Sequence, residues 1–378
     1  MLKPVVFGKQ IARRLLIMPD FPVSTPHPQR CWAEIDLAAL RHNLTVVRSQ
    51  IGPVSRIMAI VKADAYGHGL GGVLTTLAQE VDQFGVANVT EALDLRAVLP
   101  DAEILLLGAT LPEERELVVR HGLMPAISTL EEARRFAEIG PVRVHLALDT
   151  GMGRMGFLPV EWAEALAEIR SLPNLTVVAV ATHLPSADED EPFTISQIAD
   201  YEALMGIQSP SHLLNSAGIM NFPKHAAQWV RAGLMLYGVS PMAFFQPQLV
   251  PVMTLKSRVT LIRTLPAGHG VSYGRTFLTS RPTRVATISA GYADGYHRRL
   301  SNRGTEVLIR GHRCPLLGRV TMDQIMVDVT DGPAEIGDEV ELFGRHILAG
   351  EIAQLADTTP WEILTSISKR VPRVFLNP

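Results

Sequence analysis

The chain has 378 residues, of which 47% are hydrophobic and 19% charged, with a formal net charge of −3. That length exceeds one ordinary domain, and that composition describes an ample globular core and excludes a disordered chain. The slightly negative balance speaks against a general nucleic-acid binder.

Residues 1–27 carry Lys3, Lys9, Arg13 and Arg14 around a short apolar stretch, then a Pro-rich piece. They lack an uninterrupted apolar region and a small-residue cleavage site, so they read as a poorly ordered extension or a misplaced start codon, and not as a secretion signal. No apolar run is long enough to span a bilayer, so no membrane partner is expected. Cys31 and Cys314 lie far apart without metal-ligand spacing. Neither a disulfide framework nor a metal site is expected, and the chain reads as cytoplasmic.

From about residue 55, strand-like and helix-like segments alternate. The expected strands are 56–63, 84–89, 103–108, 123–129, 142–150, 175–184, 212–217 and 229–238, apolar and rich in Val and Ile. Helical patterns such as TEALDLRAVL and TLEEARRFAEIG fall between them. Eight strand-then-helix units in about 200 residues predict an α/β fold, an N-terminal (β/α)8 TIM-like barrel. An open doubly wound sheet would carry a glycine fingerprint after its first strand, and GHGLGG lacks that context. After residue 251 the segments become short and alternating, with glycine-containing turns, and helical pattern is scarce until 349–357. This predicts a C-terminal all-β domain. Pro247 and Pro251 flank the linker, dividing the chain into a barrel over 28–254 and a β-domain over 255–378.

A barrel of this kind places its active site at the C-terminal ends of its strands. Lys62 ends the first strand there, Arg154 follows the fifth, His183 ends the sixth, and Asn215 and Ser216 end the seventh. Arg231, Gly233 and Leu234 lie in or just after the eighth. Singly, each has an ordinary structural reading: a surface lysine, a core histidine, a buried ion pair, a helix cap. Their convergence on one rim favours a site. Desolvation at an apolar mouth frees the amine of Lys62 for Schiff-base chemistry. Ser216 with the backbone of Gly233 and Leu234 fits the phosphate site that such barrels place after strands seven and eight. Lysine and phosphate site together suggest pyridoxal phosphate, with an aldolase-type lysine barrel as the alternative.

VKADAYGHG, DTGMGRMGF, ATHLPSAD, LNSAG, VRAGLMLYG, VSYGRTF, GYADGY, GRVTMDQ and KRVPRVF, in that order, resemble the motifs of the alanine racemase family. The resemblance runs from CWAEIDLAALRHNL at 31–44 to the C-terminus. It implies a barrel followed by a β-domain, a head-to-tail homodimer with shared active sites, an amino-acid substrate, and pyridoxal 5'-phosphate as cofactor. By the resemblance, Lys62 carries the cofactor and is the base for the D-enantiomer. Tyr273, from the other subunit, is the base for the L-enantiomer. Tyr66 joins Ser216, Gly233 and Leu234 on the phosphate. Arg231 faces the pyridine nitrogen, and His183 links that arginine to the catalytic tyrosine. Arg154 and the backbone of Met322 match substrate-carboxylate contacts. Tyr292 matches a residue at the entrance and Asp323 a supporting neighbour. Two positions depart from the family. Ala147 stands where some members have a carbamylated lysine, and Lys369 stands where some have a tyrosine. The resemblance implies interconversion of L- and D-alanine, the latter for peptidoglycan. The alternatives are a broader-specificity amino-acid racemase, a non-enzymatic carrier of the same cofactor, and a decarboxylase of similar architecture. The carrier would lack the β-domain, and the decarboxylase would need a glycine-rich phosphate motif and a catalytic cysteine that do not appear in matching context.

Overall fold

Strands that are apolar on both faces need cover on both sides, and a ring of parallel strands wrapped in helices supplies it. The computed structural model describes residues 29–205 and 210–378; the expected extension over 1–27 lies outside the described residues. The first strand, β1 (Cys31–Asp36), precedes the ring. The ring is β2 (Arg56–Ile60), β3 (Gln83–Val86), β4 (Ile104–Leu106), β5 (Met124–Ile127), β6 (Val142–Ala147), β7 (Leu175–Ala181), β8 (Ser211–His212) and β9 (Trp229–Ala232). They pair in parallel in the order β8-β7-β6-β5-β4-β3-β2-β9. The seam between the short β8 and β9 is bridged where the Arg231 amide donates to the Leu214 carbonyl at 2.9 Å. Six of the eight expected segments contain one of these strands whole, and β3 and β8 each begin one residue before theirs.

The helices begin at the rim where the strands end. Asn88, Thr129 and Asn215 cap them, their side chains accepting from the amides of Glu91, Glu132 and Gly218. Each cap satisfies an otherwise orphaned N–H at the mouth of the barrel.

The second sheet is built on β10 (Met253–Leu265), a 13-residue strand that pairs with three others and shifts register against two of them. A small hairpin follows, β11 (Gly270–Val271) with β12 (Phe277–Leu278). Then come β13 (Thr283–Ile288), β14 (Glu306–Ile309), β15 (His312–Pro315), β16 (Ile325–Asp328), β17 (Glu339–Phe343) and β18 (Arg373–Leu376). The path is β15-β14-β17-β10-β1-β18, with β13 joining β10 to β16. Two features differ from expectation. β1, placed in the barrel by the 28–254 boundary, lies in this second sheet, antiparallel to β10 and parallel to β18. Its last residue, Asp36, caps the helix Leu37–Gln50 and holds Arg345 and Asn377, so it ties β1 to the C-terminal part of the chain. A six-residue helix, Pro360–Thr365, follows the expected one at Ala349–Ala356 and is too short to show a period in the sequence. Among the described residues, no helix is long and apolar enough to cross a membrane.

Candidate active site

Lys62 leaves β2 through Val61, and Ala63, Asp64, Ala65 and Tyr66 that follow all have φ of 54°. L-residues in the left-handed helical region cost about 1–2 kcal/mol each, so this turn needs about 4–8 kcal/mol of compensation from its surroundings. The compensation is visible. Within the turn, the amides of Ala65, Gly67 and Gly69 donate to the carbonyls of Val61, Ala63 and Asp64 at 2.9, 2.8 and 3.0 Å. The Glu91 carboxylate accepts from the amides of Ala63 at 2.8 Å and Ala87 at 2.7 Å. Asp64 accepts from the Leu70 amide at 2.7 Å, and Arg373 Nε donates to the Gly67 carbonyl at 2.9 Å. Gly67 is required, because a Cβ there would lie 2.4 Å from the Leu364 carbonyl oxygen. The turn brings Lys62 and Tyr66 into one cavity of about 440 Å³ at the C-terminal mouth of the barrel.

Arg154, His183, Asn215, Ser216, Arg231, Gly233 and Leu234 line that same cavity. Ser216 Oγ accepts from the amides of Gly233 at 3.0 Å and Met235 at 3.2 Å. Tyr66 stacks on the buried Tyr237 at 4.8 Å, which itself donates to the Ile60 carbonyl. A Cβ on Gly233 would lie 2.7 Å from Tyr66 Oη. The result is a small cradle of hydroxyls and backbone open to an anion.

Arg231 is buried, yet among the described residues it has no carboxylate partner. Nη1 donates to the carbonyl of His212 and, at 2.7 Å, to His212 Nδ1. Nη2 donates to the carbonyls of Thr182 and Leu213 and to His183 Nδ1 at 3.2 Å. A guanidinium only donates, which fixes the tautomers around it. His212 must carry its proton on Nε2 and donate it to His145 Nδ1, 2.8 Å away. His183 likewise keeps its proton on Nε2. Burial, then the Arg231 charge and its neighbours, lowers His183 to about 3. Burial, then Arg143 and Arg231, lowers His145 to about 3, and His212 lies well below its ordinary value for similar reasons. Burial lowers Arg231 to about 10, leaving it cationic at neutrality. Burial and Arg154, opposed by Glu91, lower Lys62.

The DTGMGRMGF loop is organised by Asp149, which accepts from the amides of Gly151, Met152 and Gly153. Gly156 has φ of 117° and approaches the Asp149 amide too closely for a side chain. This holds Arg154 at the cavity, where it makes no hydrogen bond or ion pair among the described residues. Ala147 lines the cavity as well and offers it no polar partner.

Tyr273, Met322 and Tyr292 are 70%, 52% and 41% exposed, and none of them lines the Lys62 cavity. One chain therefore does not bring Lys62 and Tyr273 together. The three share a surface of the second domain. The amides of Tyr292 and Ala293 donate to the carbonyls of Thr321 and Met322, and Ser272 Oγ donates to the Arg319 carbonyl. Ser272 and Arg275 flank Tyr273 with φ of 64° and 48°. Asp323 pairs with Arg370, which also holds Asp294. Lys369 lines a different cavity, behind the Lys62 turn.

Sequence reasoning missed His145, His212, Asp149, Glu91 and the two C-terminal residues Thr359 and Trp361 that line the cavity. The histidines carry a signal, a polar side chain inside an apolar strand; their partners do not.

The family described as alanine racemase, N-terminal domain, matches residues 35–241, and that described as alanine racemase, C-terminal domain, matches residues 252–375. Alanine racemase of Pseudomonas taetrolens is 43% identical over 354 residues, covering 91% of this chain and 98% of that protein. The crystal structure of biosynthetic alanine racemase from Pseudomonas aeruginosa is 36% identical with a TM-score of 0.87, covering 93% and 100%. That of alanine racemase from Bacillus anthracis with bound L-Ala-P is 32% identical with a TM-score of 0.84, covering 93% and 96%. With both domains matched in order across nearly the whole of the described chain, the protein belongs to the alanine racemase family, isomerases that act on amino acids.

Proposed function

We propose that the chain interconverts L- and D-alanine with pyridoxal phosphate, using Lys62 of one subunit and Tyr273 of a second copy as bases on opposite faces of the substrate. The residues at the barrel mouth fit that cofactor. Tyr66, Ser216, Gly233 and Leu234 would hold its phosphate, the glycine leaving space that a Cβ would fill. Arg231 would face its ring nitrogen and Lys62 would carry it. When bound, the cofactor supplies an electron sink for the substrate Cα.

Lys62 Nζ, its uncharged form favoured by burial and by Arg154, takes or returns the α-proton on one face. Tyr273 Oη does so on the other. The His183 Nε2–H, pointed away from Arg231, is the group that would meet it. Arg154, with no protein acceptor among the described residues, and the backbone of Met322 engage the substrate carboxylate. Arg231 is cationic and uncompensated, which disfavours a proton on the ring nitrogen and suppresses side reactions such as transamination. A similar chain that holds bound L-Ala-P supports an alanine-derived ligand in this cavity. The D-alanine would serve peptidoglycan synthesis in the cytoplasm.

The observation that carries the shared site is Tyr273, exposed on the second domain and absent from the Lys62 cavity of its own chain. Lys62→Ala and Tyr273→Ala chains should each be inactive and regain racemisation when mixed. Half of randomly formed dimers are heterodimers, each with one intact site. Recovery should therefore approach about a quarter of wild-type activity per site if sites act independently. Heterodimers shown by differential tags, with no activity restored, would sink the proposal.

A further inference from the structure

We propose that Glu91 is a positioning residue for Lys62, its carboxylate fixing the left-handed turn that presents the amine and supplying the negative charge that amine meets. The proposal rests on the reading of Lys62 as the cofactor lysine.

Glu91 sits in the first turn of the helix Val89–Val98, its backbone fixed by the Asn88 cap at 3.0 Å. Its side chain turns back across the strand ends and uses both oxygens. One accepts from the amide of Ala63 and the other from that of Ala87. Ala63 N–H belongs to the first peptide after Lys62, where the chain passes from β2 into four successive left-handed residues. The carboxylate thus clamps the ends of β2 and β3 together at the point of reversal.

Glu91 does not line the cavity that holds Lys62. It lines a separate one of about 400 Å³ behind the turn, with Asp64, Asp94, Lys369 and Arg373. It therefore reaches the amine without touching substrate or cofactor. On the other side, Lys62 faces Arg154, Arg231 and His183, while the carboxylates of Asp149, Asp188 and Glu189 line the cavity wall. Burial acts most strongly on Lys62, followed by Arg154, which opposes the ammonium, then Glu91, which favours it, then Arg231. Glu91 is the carboxylate set against those two arginines.

Geometry and charge separate by substitution. Glu91→Gln keeps an acceptor for Ala63 N–H and loses the charge. Glu91→Asp keeps the charge and falls one methylene short. Glu91→Ala loses both. Full-length chains stripped of cofactor are mixed with pyridoxal phosphate over a pH series, and covalent attachment is followed by absorbance. Borohydride fixation and peptide mapping locate the attachment. The acid limb of the rate profile tracks the uncharged amine, so Glu91→Gln should move it to lower pH with the plateau nearly retained. Glu91→Asp should leave the limb in place and lower the plateau. Glu91→Ala should move the limb and lower the plateau on the order of 10- to 100-fold, as misplacement of a reacting group does. A limb unmoved in Glu91→Gln, or a plateau unmoved in Glu91→Asp, overturns the proposal; these two variants decide it even if Glu91→Ala does not fold. Attachment to another lysine in the wild type would instead remove the reading of Lys62 itself, before any variant is compared.

Discussion

Gly233→Ala is a small change with a large expected consequence. The backbone at Gly233 has φ of −118°, so alanine meets no left-handed penalty there. The consequence is spatial. The new Cβ would lie 2.7 Å from Tyr66 Oη, and ordinary contact begins at 3.4 Å, so the hydroxyl must retreat by about 0.7 Å. It has little freedom to do so. The Tyr66 ring stacks on Tyr237, which is fully buried and bonded to the Ile60 carbonyl, and its backbone belongs to the left-handed turn. Overpacking of this kind costs about 1–3 kcal/mol. Because the displaced hydroxyl belongs to the proposed phosphate cradle, the loss should appear as roughly 5- to 150-fold weaker cofactor binding. Equilibrium titration with pyridoxal phosphate measures it. Tyr66→Phe removes the atom that the methyl group meets, so adding it to Gly233→Ala should cost less than the two single effects combined. Unchanged cofactor affinity in Gly233→Ala, or strict additivity in the pair, would refute the assigned cradle.

The Arg231 network makes two further predictions. Arg231→Glu places a carboxylate where the ring nitrogen is expected, so racemisation should slow and transamination become detectable by keto-acid formation; an unchanged partition would show that Arg231 does not face the ring. The buried histidines also set a pH dependence. His145 and His183 fall to about 3 in the fold, against about 6.5 unfolded, so between those values the unfolded chain holds more protons. Their contribution to stability is complete above the unfolded value and is lost as pH falls toward the folded one, by up to about 1.4 kcal/mol per histidine per pH unit. Denaturant midpoints at pH 7, 6 and 5 should fall accordingly, and His145→Phe should flatten the slope; an unaltered slope would show that His145 is not held neutral.

The rim of the site was legible because each of its residues breaks an apolar pattern at the same end of a strand. Lys62 after MAIV, His183 after VAVAT and Arg231 between Val230 and Ala232 all announce themselves in this way, and a barrel has only one rim for them to share. β1 was not legible as part of the second sheet. It was not among the expected strands, and the partners it pairs with, β10 and β18, lie more than 200 residues away along the chain. Register and partner choice at that separation are decided by tertiary packing and not by local preference.

The Lys62 turn is the clearest case of that division. Nothing in Ala63, Asp64, Ala65 and Tyr66 favours positive φ, and two alanines in an apolar context would ordinarily begin a right-handed helix. What imposes the opposite hand comes from elsewhere. Glu91 is 28 residues downstream, and Arg373, which holds the Gly67 carbonyl, is 306 residues from it. Leu364 presses its carbonyl where only a glycine fits. Arg373 and Leu364 belong to the C-terminal part of the chain, so the second domain shapes the barrel mouth of its own chain while presenting Tyr273 away from it. Strain of this kind persists only where the surroundings over-determine it. Here they do so around Lys62, the lysine that lines the cavity alongside Tyr66 among the described residues, and a right-handed turn of the same residues would not aim the two at the same wall.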